Sequence, residues 1–472
     1  MSAKIVNGKK YELVAPDGGW GYMVCIGAVL NTMTITAFVA CFGMIYNNLF
    51  IELDMDSTSI TLLQGVGASC IAISGIFTAP LLKFLSLRQL GLITAALFNI
   101  GQFMAVFAKS KIVFFISIGV LQSTGNGMIF NLSCTAINNY FVKKRLLAVS
   151  FTHAFVGIFG LFSPQFVKWS LETYGLRGTM LLISGFSLQN ILGMMLMQPV
   201  EWHMKMVKVP MDKEDEKKLL ASEEKPLMSE GDMNIKKSSI VENNVNTEEN
   251  VEDQKSSVIK AVVFSILDVS LFKTFVLSNA CVGMSLVVFV ENAFSMLLPQ
   301  ALYAMGCNED DVAFSLSLSA MGDLATRFFF IFTSSWLLKI GSHEIYVIGL
   351  VLSFIARIGM LWSVNKLVMV IFIAIMGVSR CSIATLVQVV IADAVEPEKF
   401  SSAMGLFLLL FGFFNLVVGP IVGAIRDLTD SYSTAFYILT SCMGIVILFW
   451  TIELIYKKNK HKRQQNEDAL KV

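Results

Sequence analysis

Twelve stretches of mostly apolar residues determine what this chain can fold into. A bilayer core about 30 Å thick is crossed by roughly 20 consecutive apolar residues in a helix. Each stretch must be helical there, because hydrocarbon cannot satisfy unpaired backbone N–H and C=O groups. The stretches cover residues 20–46, 59–82, 89–108, 112–137, 147–168, 179–199, 270–297, 312–337, 344–363, 366–391, 402–424 and 434–456. The sequence therefore predicts an all-α integral membrane protein with twelve transmembrane helices.

The composition agrees with a membrane protein and argues against other classes. Hydrophobic residues make up 55% of the chain and charged residues only 15%, whereas soluble proteins average about 25% charged residues. The formal net charge of +1 gives no long-range field that would attract nucleic acid. No HExxH, GxSxG or phosphate-cradling GxxxxGKS/T motif occurs. We therefore expect no enzyme, no ATP-driven pump, and no bound metal or cofactor.

The apolar stretches form two groups of six on either side of a polar segment. We predict a cytoplasmic N-terminal segment at 1–18, a six-helix half at 19–200, a disordered cytoplasmic linker at 201–268, a second six-helix half at 269–456 and a cytoplasmic basic tail at 457–472. The linker is too polar to bury the apolar area that would offset its ordering entropy. Eighteen Lys and Arg residues lie on one side of the predicted membrane and six on the other. This asymmetry predicts that both termini and the linker are cytoplasmic.

Two ionisable residues in the eighth stretch form the clearest candidate site. Asp323 and Arg327 are spaced i,i+4 with the acid first, so they share one helix face in the favourable order. Burying a charge at membrane depth costs about 2.5–3.5 kcal/mol on insertion scales, and such residues therefore indicate function by default. The guanidinium fork of Arg327 matches a carboxylate, so the pair could open when an anionic substrate arrives. A helix-packing salt bridge is the alternative.

Four further residues at membrane depth are more ambiguous. Arg380, in the tenth stretch, is too deep for snorkelling, so a cavity-facing role is favoured. Glu291 either binds substrate or lines an outer vestibule, and His153 is more typical of a packing residue. Arg357 lies near the end of its stretch, and we expect its side chain to snorkel to the interface. The predicted substrate-binding set is Arg327, Asp323, Arg380 and Glu291.

Three local sequences narrow the family. Residues 17–22, Asp-Gly-Gly-Trp-Gly-Tyr, resemble the first signature of the monocarboxylate transporter family, and residues 140–148 resemble its second signature. Residues 400–406 also look like that family. Ser150 and Phe155 depart from it, because they stand where the family prefers glycine. The resemblance implies the major facilitator fold, in which two pseudo-symmetric six-helix halves rock around a midplane site.

The resemblance has mixed implications for the site. The family's Asp and Arg of helix eight map onto Asp323 and Arg327. Its proton-coupled lactate carriers have a lysine deep in helix one, and Ala40 occupies that place here. Arg380 stands where those carriers have an aromatic selectivity residue. These differences put lactate–proton symport in doubt while keeping an anion-friendly cavity.

Three functional hypotheses follow. The first is a secondary-active or facilitative carrier that works by alternating access. Its substrate would be a small organic anion, with a monocarboxylate as the favoured class. The second is a facilitative carrier of an amino acid or amine-like solute. The third is a transporter-fold sensor that no longer transports. For any of them we expect a multi-pass protein of the plasma membrane, with a single-span accessory glycoprotein as a possible partner. Two acidic-dileucine-like stretches in the linker, 215–220 and 223–228, keep endosomal cycling open.

Overall fold

The computed structural model describes residues 3–6, 9–38, 41–55, 57–209, 275–363, 365–429 and 431–469. The first half comprises helices α1 (Gly21–Thr36), α2 (Phe42–Glu52), α3 (Ser57–Leu81), α4 (Leu87–Val106), α5 (Lys111–Phe114), α6 (Ser123–Tyr140), α7 (Arg145–Ser187) and α8 (Gln189–Leu196). The second half comprises α9 (Met284–Ala304), α10 (Glu309–Ile340), α11 (Ser342–Trp362), α12 (Lys366–Ala394), α13 (Phe400–Thr429) and α14 (Tyr432–Ala469). Two π-helical segments, Phe115–Gln122 and Asn279–Gly283, lead into α6 and α9.

The described helices confirm the prediction of a helical multi-pass membrane protein. Nine segments among the described residues are long and apolar enough to cross a membrane. One of them, Arg145–Leu196, contains the fifth predicted stretch and most of the sixth. The first predicted stretch falls on the shorter helices α1 and α2, and the eighth falls on α10. Large apolar side chains on the outside, such as Phe332 and Trp362, are exposed, as expected for a surface covered by lipid.

Helix α7 contains the turn between the fifth and sixth predicted stretches. Gly175 has φ +67° and ψ −173°, which breaks the helix where a residue with a side chain would be strained. The hydroxyls of Ser170 and Thr179 lie 2.9 Å apart across this break. Nine residues of continuous helix would separate them by about 13 Å, so the chain reverses at Gly175 into two antiparallel helices.

Close backbone contact joins the two halves along α3 and α13. A Cβ atom added at Gly405 would lie 2.5 Å from the carbonyl oxygen of Gly75. Similarly, a Cβ at Gly412 would lie 2.6 Å from Cβ of Ala72. Small residues allow this approach, because van der Waals packing drives helix association in lipid.

The structure also contains a small three-stranded sheet, which the sequence did not predict. Strand β1 (Ala3–Val6) pairs antiparallel with β2 (Lys9–Val14), which pairs antiparallel with β3 (Lys205–Val209). The predicted disorder of the linker is therefore wrong for its first residues, because β3 gains backbone hydrogen bonds from the N-terminal segment. The rest of the linker, including 215–220 and 223–228, lies outside the described residues. Helix α14 continues through much of the predicted basic tail.

Candidate substrate site

Asp323 and Arg327 form an ion pair on α10. Nε of Arg327 donates to Oδ2 of Asp323 at 2.9 Å, and Nη2 lies 2.8 Å from the same oxygen. The two side chains are only 8% and 11% exposed, respectively. The predicted pair is thus present, although its role in substrate binding stays a prediction.

Arg327 also reaches across to the first half. Its Nη1 donates to the backbone carbonyl of His153 on α7 at 2.8 Å. A Cβ added at Gly157, one turn further along α7, would lie 3.7 Å from Cδ and Nε of Arg327. The guanidinium therefore lies directly between α7 and α10. The contact from His153 comes from its backbone, so it does not depend on the imidazole ring.

The pair has unused hydrogen-bonding capacity. Oδ1 of Asp323 is buried and has no hydrogen-bond partner among the described residues. On Arg327, each guanidinium nitrogen already has one contact, but Nη1 and Nη2 each carry a second N–H. An incoming carboxylate could take these N–H groups, and an incoming donor could satisfy Oδ1.

Arg380 lies on a face of α12 whose side chains are exposed in the middle and buried toward both ends. Arg380 and Ala384 are exposed, whereas Met376 and Val387, on either side of them on the same face, are buried. Residues three or four apart share a helix face, so this pattern is typical of a helix that lines an internal opening. Within the described part of the chain, Arg380 forms no ion pair. Its positive charge is therefore available to an anion.

Glu291 belongs to a different cluster. Its Oε1 lies 2.8 Å from Nη2 of Arg357 and accepts a hydrogen bond from Ser353 at 2.8 Å. Arg357 is 0% exposed, and its guanidinium lies 4.3 Å from the ring centroid of Phe294. The expected snorkelling of Arg357 is therefore wrong, because Glu291 supplies a buried partner between α9 and α11. No hydrogen bond or ion pair joins Glu291 to Asp323 or Arg327 among the described residues. Ala40 lies outside the described residues.

The two signature stretches meet at the basic end of the bundle, which we define by the turns at 82–86, 141–144 and 395–399. Oδ1 of Asp17 accepts from the backbone N–H groups of Val142, Lys143 and Lys144 at 2.9, 3.0 and 3.3 Å. The next residue, Arg145, donates from Nη1 to Oδ1 of Asp393 at 3.0 Å. The motif that resembles the family signature therefore positions an arginine that contacts the second half.

A further contact between the halves, near the Arg145–Asp393 pair, is more deeply buried. Nδ2 of Asn131, on α6, donates to the carbonyl oxygens of Gly75 at 3.0 Å and Ser401 at 3.1 Å. The Ser401 hydroxyl donates back to Oδ1 of Asn131 at 3.2 Å. Asn131 is 0% exposed. Together with Arg145 and Asp393, this network joins the halves at and near the basic end.

These features define a class of protein: a bundle of membrane-spanning helices in two halves, with charged residues at the interface between them. The family model of the Major Facilitator Superfamily matches residues 24–363 and, in a second match, 280–471. The chain belongs to this superfamily and is a transporter rather than an enzyme.

Relatives and solved structures agree with this family. The chain is 22% identical to mouse monocarboxylate transporter 6 over 96% of this chain and 90% of the relative. It is 25% identical to mouse monocarboxylate transporter 12, over 93% and 85%, and 24% identical to chicken monocarboxylate transporter 3, over 95% and 80%. Among solved structures, the transporter FucP in an outward conformation gives a TM-score of 0.60 at 13% identity, covering 92% of this chain and 98% of that one. The proton:xylose symporter XylE also gives 0.60 at 13% identity, over 91% and 94%.

Proposed function

We propose that this transporter carries small organic anions, with monocarboxylates as the favoured class. Transport would occur by alternating access, in which the two halves rock around a central site. The observation that carries the proposal is Arg327, a nearly buried guanidinium that contacts α7 of one half from α10 of the other. The relatives named monocarboxylate transporters support the same substrate class.

The proposed binding step uses the geometry of Arg327. A carboxylate that replaces the His153 carbonyl at Nη1 can also take the second N–H of Nη2, which gives a two-point contact. Arg380 adds a second positive charge on the exposed middle of its face of α12, and we expect this charge to attract the anion. Because the His153 contact joins the halves, its replacement by substrate weakens one contact between α7 and α10. Binding is thereby coupled to movement of the halves.

An amino acid is the second candidate substrate. The buried, unpartnered Oδ1 of Asp323 favours it, because an ammonium group beside the carboxylate would supply the missing donor. Plain carboxylates and amino acids therefore belong in the same test.

We also propose a plasma-membrane location, which the monocarboxylate transporter relatives favour. The distribution of Lys and Arg supports an orientation with both termini in the cytoplasm. Antibody staining of tags at each end, in intact and in permeabilised cells, tests this orientation. Staining of intact cells would contradict it. Endosomal cycling is a further proposal, which surface labelling followed over time would test. A single-span accessory glycoprotein is another, which cross-linking followed by mass spectrometry would test.

The transport proposal is tested by uptake into proteoliposomes that contain the purified protein. We expect saturable uptake of at least one labelled monocarboxylate, and none into protein-free liposomes. Uptake of amino acids with no uptake of carboxylates would favour the second candidate. Binding without uptake of either class would favour a non-transporting sensor.

Proton coupling is expected to be weak or absent, because Ala40 stands at the place of the family's lysine. The measurement is accumulation of the acid under an imposed inward proton gradient at two external pH values. Strong uphill accumulation that collapses with a protonophore would contradict this expectation. Asp323 or another acid would then carry the proton without that lysine.

The Arg145–Asp393 contact is expected to be needed for efficient transport. Arg145→Glu places two acids together at the basic end. We expect it to lower uptake at least about tenfold, because like charges in contact between the halves cost several kcal/mol and a tenfold change needs only about 1.4 kcal/mol. The exchanged pair Arg145→Asp with Asp393→Arg should recover most of the uptake. Lys144→Glu is the matched control, because it makes the same charge change on an exposed neighbouring side chain. Equal losses in the single variant and the control would remove this contact from the mechanism.

A further inference from the structure

The contact between Arg145 and Asp393 does not by itself fix the orientation of the carboxylate. Nη1 of Arg145 donates to Oδ1 of Asp393 at 3.0 Å, and Nε of Arg145 is buried without a hydrogen-bond partner among the described residues. Two parallel N–H groups would set the plane of a carboxylate, but this contact is made at one point. The second torsion of an aspartate side chain is broad and roughly two-fold, and the Asp393 side chain is 40% exposed. A second contact is needed to hold this carboxylate in one orientation.

Ser342 supplies that second contact. It is the first residue of α11, and its hydroxyl donates to Oδ2 of Asp393 at 2.5 Å. Within the described part of the chain, Arg145 and Ser342 are the hydrogen-bond partners of this carboxylate, one on each oxygen. Because the two donors contact different oxygens, together they set the plane of the carboxylate between α7 of the first half and α11 of the second.

The turn between α10 and α11 places Ser342 at this position. The turn has one residue, Gly341, whose φ of +107° favours glycine. A Cβ atom at Gly341 would also overlap the carboxylate of Glu344. A serine at the start of a helix often bonds to the N–H groups of its own first turn. The Ser342 hydroxyl makes no such bond among the described residues, because it is directed to Asp393 on another helix.

His343 fixes the direction in which the Ser342 hydroxyl donates. Nδ1 of His343 lies 3.3 Å from the Ser342 oxygen. A serine hydroxyl has one hydrogen, and here that hydrogen points to Asp393, so Nδ1 must carry the proton of the His343 contact. The ring centroids of His343 and Trp450 lie 5.6 Å apart, and Trp450 is only 1% exposed. The hydroxyl is therefore held in place from the interior of the second half.

We infer that Ser342 is a positioning residue for transport, which orients Asp393 so that Arg145 meets it whenever the halves close at the basic end. The inference rests on the proposed alternating-access function, and Ser342 lies outside both signature stretches. When the halves separate there, Asp393 loses Arg145 but keeps Ser342, because both residues belong to the second half. The carboxylate thus stays in the orientation that Arg145 needs, which lowers the ordering cost of forming the contact again.

Ser342→Ala is expected to lower kcat/KM about threefold to fivefold, as is typical of losing one partly exposed hydrogen bond. Ser342→Thr keeps a hydroxyl, and we expect it to retain most of the uptake. Ser363→Ala is the matched control, because it makes the same change at the other end of α11, where the hydroxyl donates to the Asn365 carbonyl. Uptake is measured in cells and normalised to surface protein. The probe is labelled pyruvate, hexanoate or leucine, whichever the wild type transports.

A double-variant cycle with Arg145→Gln separates positioning from a general structural role. If Ser342 acts through the contact between Arg145 and Asp393, Ser342→Ala should change kcat/KM by less than about 1.5-fold once Arg145 is replaced. A residue that only stabilises the start of α11 gives the same loss in both backgrounds. The Tm of the four purified proteins in detergent is a second readout that does not require transport. We expect the fall in Tm caused by Ser342→Ala to be at least halved in the Arg145→Gln background.

The outcomes separate this inference from the proposed function. Equal losses from Ser342→Ala in both backgrounds, in uptake and in Tm, would overturn the positioning role and leave transport standing. Wild-type uptake and Tm in Ser342→Ala would overturn it as well. If the wild type takes up none of the three probes, the proposed function fails. The Tm cycle then decides alone, because additive effects overturn the positioning of Asp393 by Ser342 and non-additive effects support it.

Discussion

Arg327→Lys is expected to raise the KM for the transported acid about tenfold while surface abundance stays near wild type. Lysine keeps the charge but loses the planar fork that offers two parallel N–H groups to a carboxylate. A hydrogen bond to a charged group contributes about 1.5–3 kcal/mol, so losing one accounts for a change of this size. The measurement is initial uptake against acid concentration, normalised to surface protein.

Arg327→Ala should have a larger effect on both uptake and folding. It removes the partner of the anion and leaves Asp323 buried and unpaired, and in soluble proteins breaking such a pair typically costs about 3–5 kcal/mol. We expect uptake at background and reduced surface abundance. Surface biotinylation measured alongside uptake separates these two losses.

The double variant Asp323→Asn with Arg327→Gln distinguishes substrate binding from helix packing. It removes both charges together, so we expect normal surface abundance with uptake near background. Neutralising the exposed Arg177–Glu52 pair, as Arg177→Gln with Glu52→Gln, is the matched control and should preserve uptake. Uptake at wild-type level by the Asp323/Arg327 double variant would remove Arg327 from the binding site.

Features with a local signature could be predicted from the sequence. The apolar stretches follow from the thickness of the bilayer, and the Asp323–Arg327 pair follows from i,i+4 spacing on one helix. The interruption before the sixth stretch is also visible, because residues 169–178 are more polar than their flanks and contain Gly175.

Features that depend on distant residues could not be predicted in this way. Asn131 and Ser401 are separated by 270 residues, and nothing in either neighbourhood indicates the other. Arg357 has the position and length to snorkel. Its partner is instead the buried carboxylate of Glu291, which lies far from it in the sequence on another helix. Strand β3 pairs with β2 from the other end of the first half, so composition alone suggested disorder.

The signature residues show that a family resemblance and a binding role can be separate. Asp17 holds the turn before α7, and Trp20 donates from Nε1 to the Leu196 carbonyl at 3.2 Å. The Tyr140 hydroxyl donates to the Gln198 carbonyl at 3.1 Å. All three fix helix ends at the basic end, away from Arg327. Their presence explains the resemblance of the scaffold without specifying the substrate.

Removing one member of the Glu291–Arg357 pair is expected to destabilise the second half strongly. Arg357→Met leaves the Glu291 carboxylate buried with only Ser353 as a donor, and Glu291→Gln leaves a fully buried guanidinium without its counter-charge. We expect each single variant to lose most of its surface abundance and to melt at a clearly lower Tm in detergent. Lys366→Met is the matched control, because it breaks an exposed ion pair with Asp311 and should barely change the Tm.

The double variant Glu291→Gln with Arg357→Met decides whether Glu291 also binds substrate. Arg357 lies over the Phe294 ring, so a methionine of similar length can fill its place against the aromatic face without a charge. Both charges contact each other inside the second half, and neither contacts Arg327 or Asp323 in the described chain. We therefore expect the double variant to recover both surface abundance and uptake, since replacing a buried ion pair by well-packed neutral residues is often neutral or stabilising. A double variant that reaches the surface normally but does not transport would instead assign Glu291 to the substrate site.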